Sequence, residues 1–187
     1  MEAVSSLRNH FLIAMPSVNA EYLKQAVIYI CENQPQGTVG LMINRPLIYP
    51  LGLVFEQLAM TPKRAEQSQQ PLLFGGPLQT ERGFVIHRPG GNWRSSLHLA
   101  EEVTITTSND IIQALADDVG PADALVTMGY VRWDSVQLEK EMLENRWLVC
   151  PYSADLLFNI PFKQRWSDAA KRIGVNVDHL VEGSGHA

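Results

Sequence analysis

Apolar positions along this chain come in short blocks separated by turn residues. HFLIAMP reads as a first strand, closed at Pro16 because a proline cannot donate to a strand ladder. Ala26–Cys31 and Thr38–Ile43 are rich in Val and Ile and bracket the turn ENQPQG, which predicts a β-hairpin. Leu51, Phe55, Leu58 and Ala59 fall at helical spacing and predict a helix over Gly52–Met60. TPKRAEQSQQ is the most polar segment and reads as an exposed loop over about 61–70. Pro71–His87 holds two short apolar runs around a glycine-bearing bend and reads as a hairpin-like element. Val103–Thr106 is a further strand.

The second half carries the clearest helix signals. In TSNDIIQALADDVG, Ser108 is placed to cap, Asp110 suits the positive N-terminal end and Gly120 is placed to stop the helix. Ile111, Ile112, Leu115 and Ala116 form its apolar stripe. DALVTMGY predicts a strand ending at Gly129. DSVQLEKEMLEN predicts a helix, with Asp134 and Gln137 resembling a capping box and Leu138 with Met142 as an apolar i,i+4 pair. RWLVCP is a last strand, and FKQRWSDAAKRIGVN a last helix with Gly174 as its C′ residue. The end, about 181–187, lacks a core-forming pattern and is expected to fray. No repeat or long linker divides the chain. The order of elements predicts a single α+β domain over 1–187 with a mixed or antiparallel sheet, not a doubly wound fold.

Composition narrows the function classes. With 45% hydrophobic residues the chain can bury a sizeable core, and its net charge of −5 opposes broad binding to a phosphate backbone. Direct nucleic-acid binding is therefore not expected. No apolar run approaches a membrane span, the start has no leader pattern, and Cys31 and Cys150 stand apart. A cytoplasmic protein with reduced, buried cysteines is the economical expectation.

Motif spacing excludes several chemistries. There is no dinucleotide or phosphate-loop glycine pattern, no HExxH, no CxxC and no GxSxG, and the five histidines never fall at i,i+4. Neither a metal nor a cofactor is expected. Gly75 and Gly76 in FGGP suit an outward-facing backbone that binds an anion, or simply a sharp turn. Asn44 and Arg45 close another strand, where the guanidinium can take a carboxylate or phosphate, or clamp a loop. His87 ends GFVIH and suits acid–base work or a structural hydrogen bond. Tyr130, Trp133 and Trp147 flank a helix start, as a platform for a flat anionic ligand or as core pieces. Gln137 and Glu139 sit in that helix's first turns, Glu139 being a candidate base or a solvated face residue.

In this order and spacing, FLIAMP, GTVGLMINRP, LLFGGPLQTERGFVIH, TTSNDIIQALA, GYVRWDSVQLEKEMLENRWL, LFNIPFKQRW and the closing GHA resemble the AlgH/YqgE family of bacterial proteins, from about Phe11 to the C-terminus. The resemblance implies a cytosolic α+β domain with a strongly curved, barrel-like sheet flanked by helices. It implies no established activity. One branch is named for regulating alginate synthesis, and a resolvase-like nuclease is a partner suggested by gene neighbourhood. By motif, the shared positions fall on Asn44, Arg45, Gly75, Gly76, Gly83, His87, Ser108, Asp110, Gly129, Tyr130, Trp133, Gln137, Glu139, Asn145 and Trp147. The chain departs from the family pattern at Asn33, where many relatives have histidine, and at Val131, Arg132 and Val136, where small residues are usual.

Asn44, Arg45, Gly75, Gly76, Ser108, Tyr130, Trp133 and Gln137 are thus the expected ligand-binding residues. Helix N-termini, a glycine pair and one guanidinium meeting at a sheet edge favour a small anionic ligand or a protein partner. The alternative is a hydrolase or transferase using His87 or Glu139 with amides of the Gly75–Gly76 loop. A third reading is a transcriptional regulator that acts indirectly, without touching DNA.

Overall fold

The structure is a computed structural model and describes residues 6–182. In chain order its elements are β1 (His10–Ala14), a 3₁₀ turn (Glu21–Leu23), β2 (Val27–Gln34), β3 (Gly37–Met42), α1 (Gly52–Gln57), α2 (Ala65–Ser68), β4 (Leu72–Phe74) and β5 (Leu78–His87). There follow β6 (Ser96–Ala100), β7 (Val103–Thr106), α3 (Asn109–Ala116), β8 (Ala124–Trp133), α4 (Ser135–Leu143), β9 (Trp147–Pro151), α5 (Ala154–Phe158), α6 (Phe162–Arg172) and α7 (Val177–Glu182). The α+β class holds. The chain forms two compact units, one from the segments up to Asn44 and from Tyr130 onward, the other from Arg45–Gly129.

In the first unit the strand order is β8-β3-β2-β1-β9, and every pairing is antiparallel. Phe11 lies opposite Tyr29 on one side and Cys150 on the other. Such a central strand is covered on both faces, so Phe11 through Ala14 read as a continuous apolar run and all four are fully buried. The β2–β3 hairpin forms as expected, with an irregularity in register at Cys31. Helix α6 supplies two polar anchors. Trp166 Nε1 donates to Ala14 O at 2.8 Å, and the buried Arg165 donates through Nη1 to Ile43 O at 2.7 Å and through Nε to Ile160 O at 2.8 Å. Among the described residues no carboxylate answers Arg165; its guanidinium lies 4.6 Å from the Phe162 ring centroid, and burial pushes its pKa down to about 10. Gly174 takes the left-handed conformation expected after α6 (φ +78°).

In the second unit the order is β6-β7-β5-β8, with β4 parallel to β8 (Leu72 opposite Val126, Phe74 opposite Met128). This corrects the hairpin reading of Pro71–His87: β4 and β5 each pair with β8 and not with one another. The cause is a close backbone crossing. Gly75 N donates to Met128 O at 2.7 Å, and a Cβ on Gly75 would strike Gly129 O. A Cβ on Gly129, whose φ is +76°, would strike Gly76 O. The glycines let two backbones touch, so the bend leads away from β4 and does not return along it.

Three local expectations also change. The polar 61–70 stretch contains α2, whose Gln67 is buried and accepts from Arg64 N at 2.8 Å, while Arg64 pairs with Asp118 at 3.0 Å. Strand β6 is an exposed edge of SLHLA, too polar and short to stand out in sequence. Helix α3 ends at Ala116, before the expected Gly120, and Asp118 takes the left-handed conformation instead (φ +62°). Leu51, Phe55, Leu72, Val85, Ile111, Ile112, Ala116 and Val126 form this unit's core. At the C-terminus α7 reaches Glu182, into the stretch expected to fray; 183–187 lie outside the described residues.

Candidate functional site

The second unit contains a cavity of about 130 Å³. Its apolar wall comes from Val54 and Leu58 of α1, Val85 of β5, Ile112 of α3, and Val126 and Met128 of β8. These positions face inward for the reasons that build the core: alternation on the strands and the i,i+4 stripe on the helices. Its polar rim runs from Thr106 to Asn109, where β7 gives way to α3, with Gln57 and Glu81 also lining it. Glu81 is the only charged residue of the lining. Gly83 lines the wall, where a Cβ would meet Met128 Sδ at 3.6 Å and Thr127 O at 4.0 Å, ordinary contact distances that tolerate a side chain.

Of the expected ligand residues, Ser108 lines this cavity. Its hydroxyl does not accept from the helix amides. It donates to Asp110 Oδ1 at 2.5 Å and accepts from Ser95 N at 3.0 Å. Asp110 further accepts from Ile111 N and Arg94 N, and these donors hold its pKa below the usual carboxylate range against the opposing effect of burial. The start of α3 is thus tied to the loop before β6. Arg45, Gly75 and Gly76 belong to the same unit but are not in the lining; Arg45 is half-buried, and its carbonyl accepts from Phe74 N at 2.8 Å.

The other expected residues belong to the first unit. Asn44 is spent on the backbone, accepting from Val27 N at 3.0 Å and donating to Gln25 O at 2.8 Å. Tyr130 is half-buried at the middle of β8. Trp133 and Trp147 meet edge to face at 5.4 Å, and both indole N–H groups donate to Glu141 Oε2, at 3.2 and 2.7 Å. Gln137 donates to Glu141 Oε1 at 2.5 Å, and its amide N–H donates to the capping carboxylate of Asp134 at 2.7 Å. Glu141 therefore locks α4 onto the sheet. It was not among the candidates, although its spacing four residues after Gln137 carried the signal. Glu139 is solvent-exposed.

His87 is fully buried. Its Nδ1 lies 2.7 Å from Arg88 O and its Nε2 2.7 Å from Thr106 Oγ1. Desolvation lowers its pKa from the ordinary imidazole value, which favours the neutral ring. Among the positions where the chain departs from the family pattern, Asn33 accepts from Leu7 N and donates to Thr38 Oγ1, Arg132 donates to Gln36 O, and Val136 is 75% exposed. Among the described residues no three His, Cys, Asp or Glu side chains cluster as for a metal ion, and no helix is long and apolar enough to cross a membrane.

A family model described as DUF179, AlgH-like, matches residues 11–178, across both units. The chain belongs to the AlgH-like family. It is 54% identical to a UPF0301 protein of Legionella pneumophila (strain Corby) over the whole of both chains. It is 42% identical to a UPF0301 protein of Saccharophagus degradans, over 97% of this chain and 89% of that one. The solution structure of AlgH from Pseudomonas aeruginosa is similar throughout, with a TM-score of 0.80, 41% identity, and coverage of 100% of this chain and 99% of that one. A Corynebacterium diphtheriae crystal structure, 21% identical over 92% and 90% of the two chains with a TM-score of 0.67, shares the fold. Membership of the AlgH-like family fixes the architecture.

Proposed function

We propose that the protein is a small-molecule-binding protein whose ligand occupies the cavity of the Arg45–Gly129 unit. The size of that cavity carries the reading. About 130 Å³ is the scale of an engineered apolar cavity that takes benzene and far below the several hundred Å³ of a typical drug-sized site. That volume suits a ring or a short branched chain better than a nucleotide. The wall asks for an apolar body, and the Thr106–Asn109 rim asks for one polar group. With Glu81 as the only charged residue of the lining, the favoured ligand is neutral with a hydrogen-bonding end, and the anion expected from sequence is disfavoured.

A screen of small aromatic and branched aliphatic carbonyl compounds, followed by amide chemical shifts, tests the reading. Binders are expected to shift Thr106–Asn109 and Val126. Gly83→Leu, which adds a side chain at the cavity wall, is expected to keep the fold and abolish the shifts. Shifts centred elsewhere, or binding unchanged in Gly83→Leu, would refute it.

A protein partner is a second reading, favoured by one observation. Val136 and Leu143 lie seven residues apart on α4 and are 75% and 85% exposed. A complex that survives replacement of both by lysine would exclude this face.

A further inference from the structure

A hydrogen-bond chain beside the cavity has a direction. Arg88 O can only accept, so the proton shared over 2.7 Å sits on His87 Nδ1. Nε2 then presents a lone pair, and the Thr106 hydroxyl 2.7 Å away donates to it. With that proton committed, Thr106 Oγ1 accepts from the Ser96 hydroxyl, also at 2.7 Å. Strand register explains the alignment: Thr106 lies opposite Val85 on one side and Ser96 on the other, and His87 follows Val85 by two residues on the same face. His87 and Thr106 are fully buried, whereas Ser96 is exposed. The Trp93 ring meets the imidazole edge-on at 6.4 Å. A surface serine thus heads a wire whose every proton points to a neutral base.

The geometry points to Ser96 as a nucleophile toward carboxylic esters with a good leaving group, with Thr106 and His87 taking up its proton. In the step, a bond forms between Ser96 Oγ and the acyl carbon, and the ester C–O bond breaks to release the leaving alkoxide. The Ser96 proton passes to Thr106, and the Thr106 proton passes to His87 Nε2. The imidazolium then gives up its proton through the Thr106 hydroxyl and water to the released alkoxide, leaving acyl-Ser96, neutral His87 and the free alcohol. This activity goes beyond ligand binding and does not depend on what fills the cavity.

The test is acylation of the full chain by p-nitrophenyl acetate, read by intact mass and peptide mapping. One acetyl group on Ser96 is expected, and none in Ser96→Ala, a change at an exposed position that leaves the fold intact. Thr106→Val keeps the shape of the side chain but cuts the wire, and is expected to slow acylation about 100-fold. Thr106→Ser restores the hydroxyl and is expected to recover most of the rate, which a merely structural loss would not do. Acetyl found only on other residues, or labelling of Ser96→Ala equal to the parent, overturns the proposal. So does a Thr106→Val protein that folds and acylates at the parent rate. If Thr106→Val does not fold, the Ser96→Ala comparison decides.

Discussion

Replacing Glu141 by leucine should destabilise the protein by about 3 kcal/mol. The magnitude follows from two donors and one acceptor oxygen. Trp147 is 1% exposed and its N–H is 2.7 Å from Glu141 Oε2; Trp133 is 6% exposed and its N–H is 3.2 Å away. A buried donor left without a partner costs about 1–3 kcal/mol, so the shorter bond contributes about 2 and the longer about 1. The Gln137 contact adds little, because that side chain is exposed and water replaces its partner. Glu141→Gln keeps an acceptor oxygen and should cost about 1 kcal/mol, the difference between a charged and a neutral acceptor. Urea unfolding followed by tryptophan fluorescence measures both, because these indoles report on the element being loosened. The leucine variant should lower the thermal midpoint by about 10 °C at roughly 2–4 °C per kcal/mol for a chain of this size. A loss under about 0.5 kcal/mol for leucine, or equal losses for leucine and glutamine, would show that the shared carboxylate does not hold α4 to the sheet.

Three further outcomes follow from backbone and titration. Ala59 lies just past α1 with φ +53°, where a Cβ costs about 1 kcal/mol, so Ala59→Gly should raise the urea midpoint; an unchanged or lower midpoint would contradict the assigned conformation. Gly129→Ala drives a Cβ into Gly76 O at a left-handed φ and should cost more than about 3 kcal/mol, giving little folded protein by circular dichroism; a well-folded variant would show that the two backbones do not touch. His87 has a folded-state pKa below its unfolded value because of desolvation, so the unfolded chain binds more protons. Its contribution is complete above about pH 6.5 and is lost as pH falls toward the folded pKa, at no more than about 1.4 kcal/mol per pH unit. His87→Gln should flatten that slope in stability measured between pH 7 and 5, and parallel slopes would reject the assignment.

Most of the fold was legible because β1, β2, β3 and β9 bury apolar runs and α3, α4 and α6 carry helical stripes. The failures share a physical cause. Pro71–His87 has the local pattern of a hairpin, but the contacts that decide its pairing come from Met128 and Gly129, more than forty residues on. Strand β6 is held by its ladder to β7 and not by burial: its Leu97–Leu99 alternation spans only five residues and leaves Leu97 exposed, so it points to no core face. Asp118 takes the left-handed conformation reserved in sequence reasoning for Gly120, and its pairing with Arg64 accompanies that choice.

The same logic separates the site residues that sequence could name from those it could not. Polar residues with an evident chemistry, such as Asn44 and Gln137, stand out in the sequence, and each is committed to a structural hydrogen bond. The residues left to face a ligand or a reagent are ordinary in type. Gly83 matters for the side chain it lacks, Thr106 sits in a strand where threonine is common, and Ser96 lies on an edge without a motif. Their significance comes from register: one residue of slip between β5, β6 and β7 would turn Thr106 to the other face and separate it from both His87 and the cavity. A hydroxyl gains a direction only when its neighbours' protons are already assigned, and here that assignment begins at a backbone carbonyl, Arg88 O, which no side-chain pattern displays.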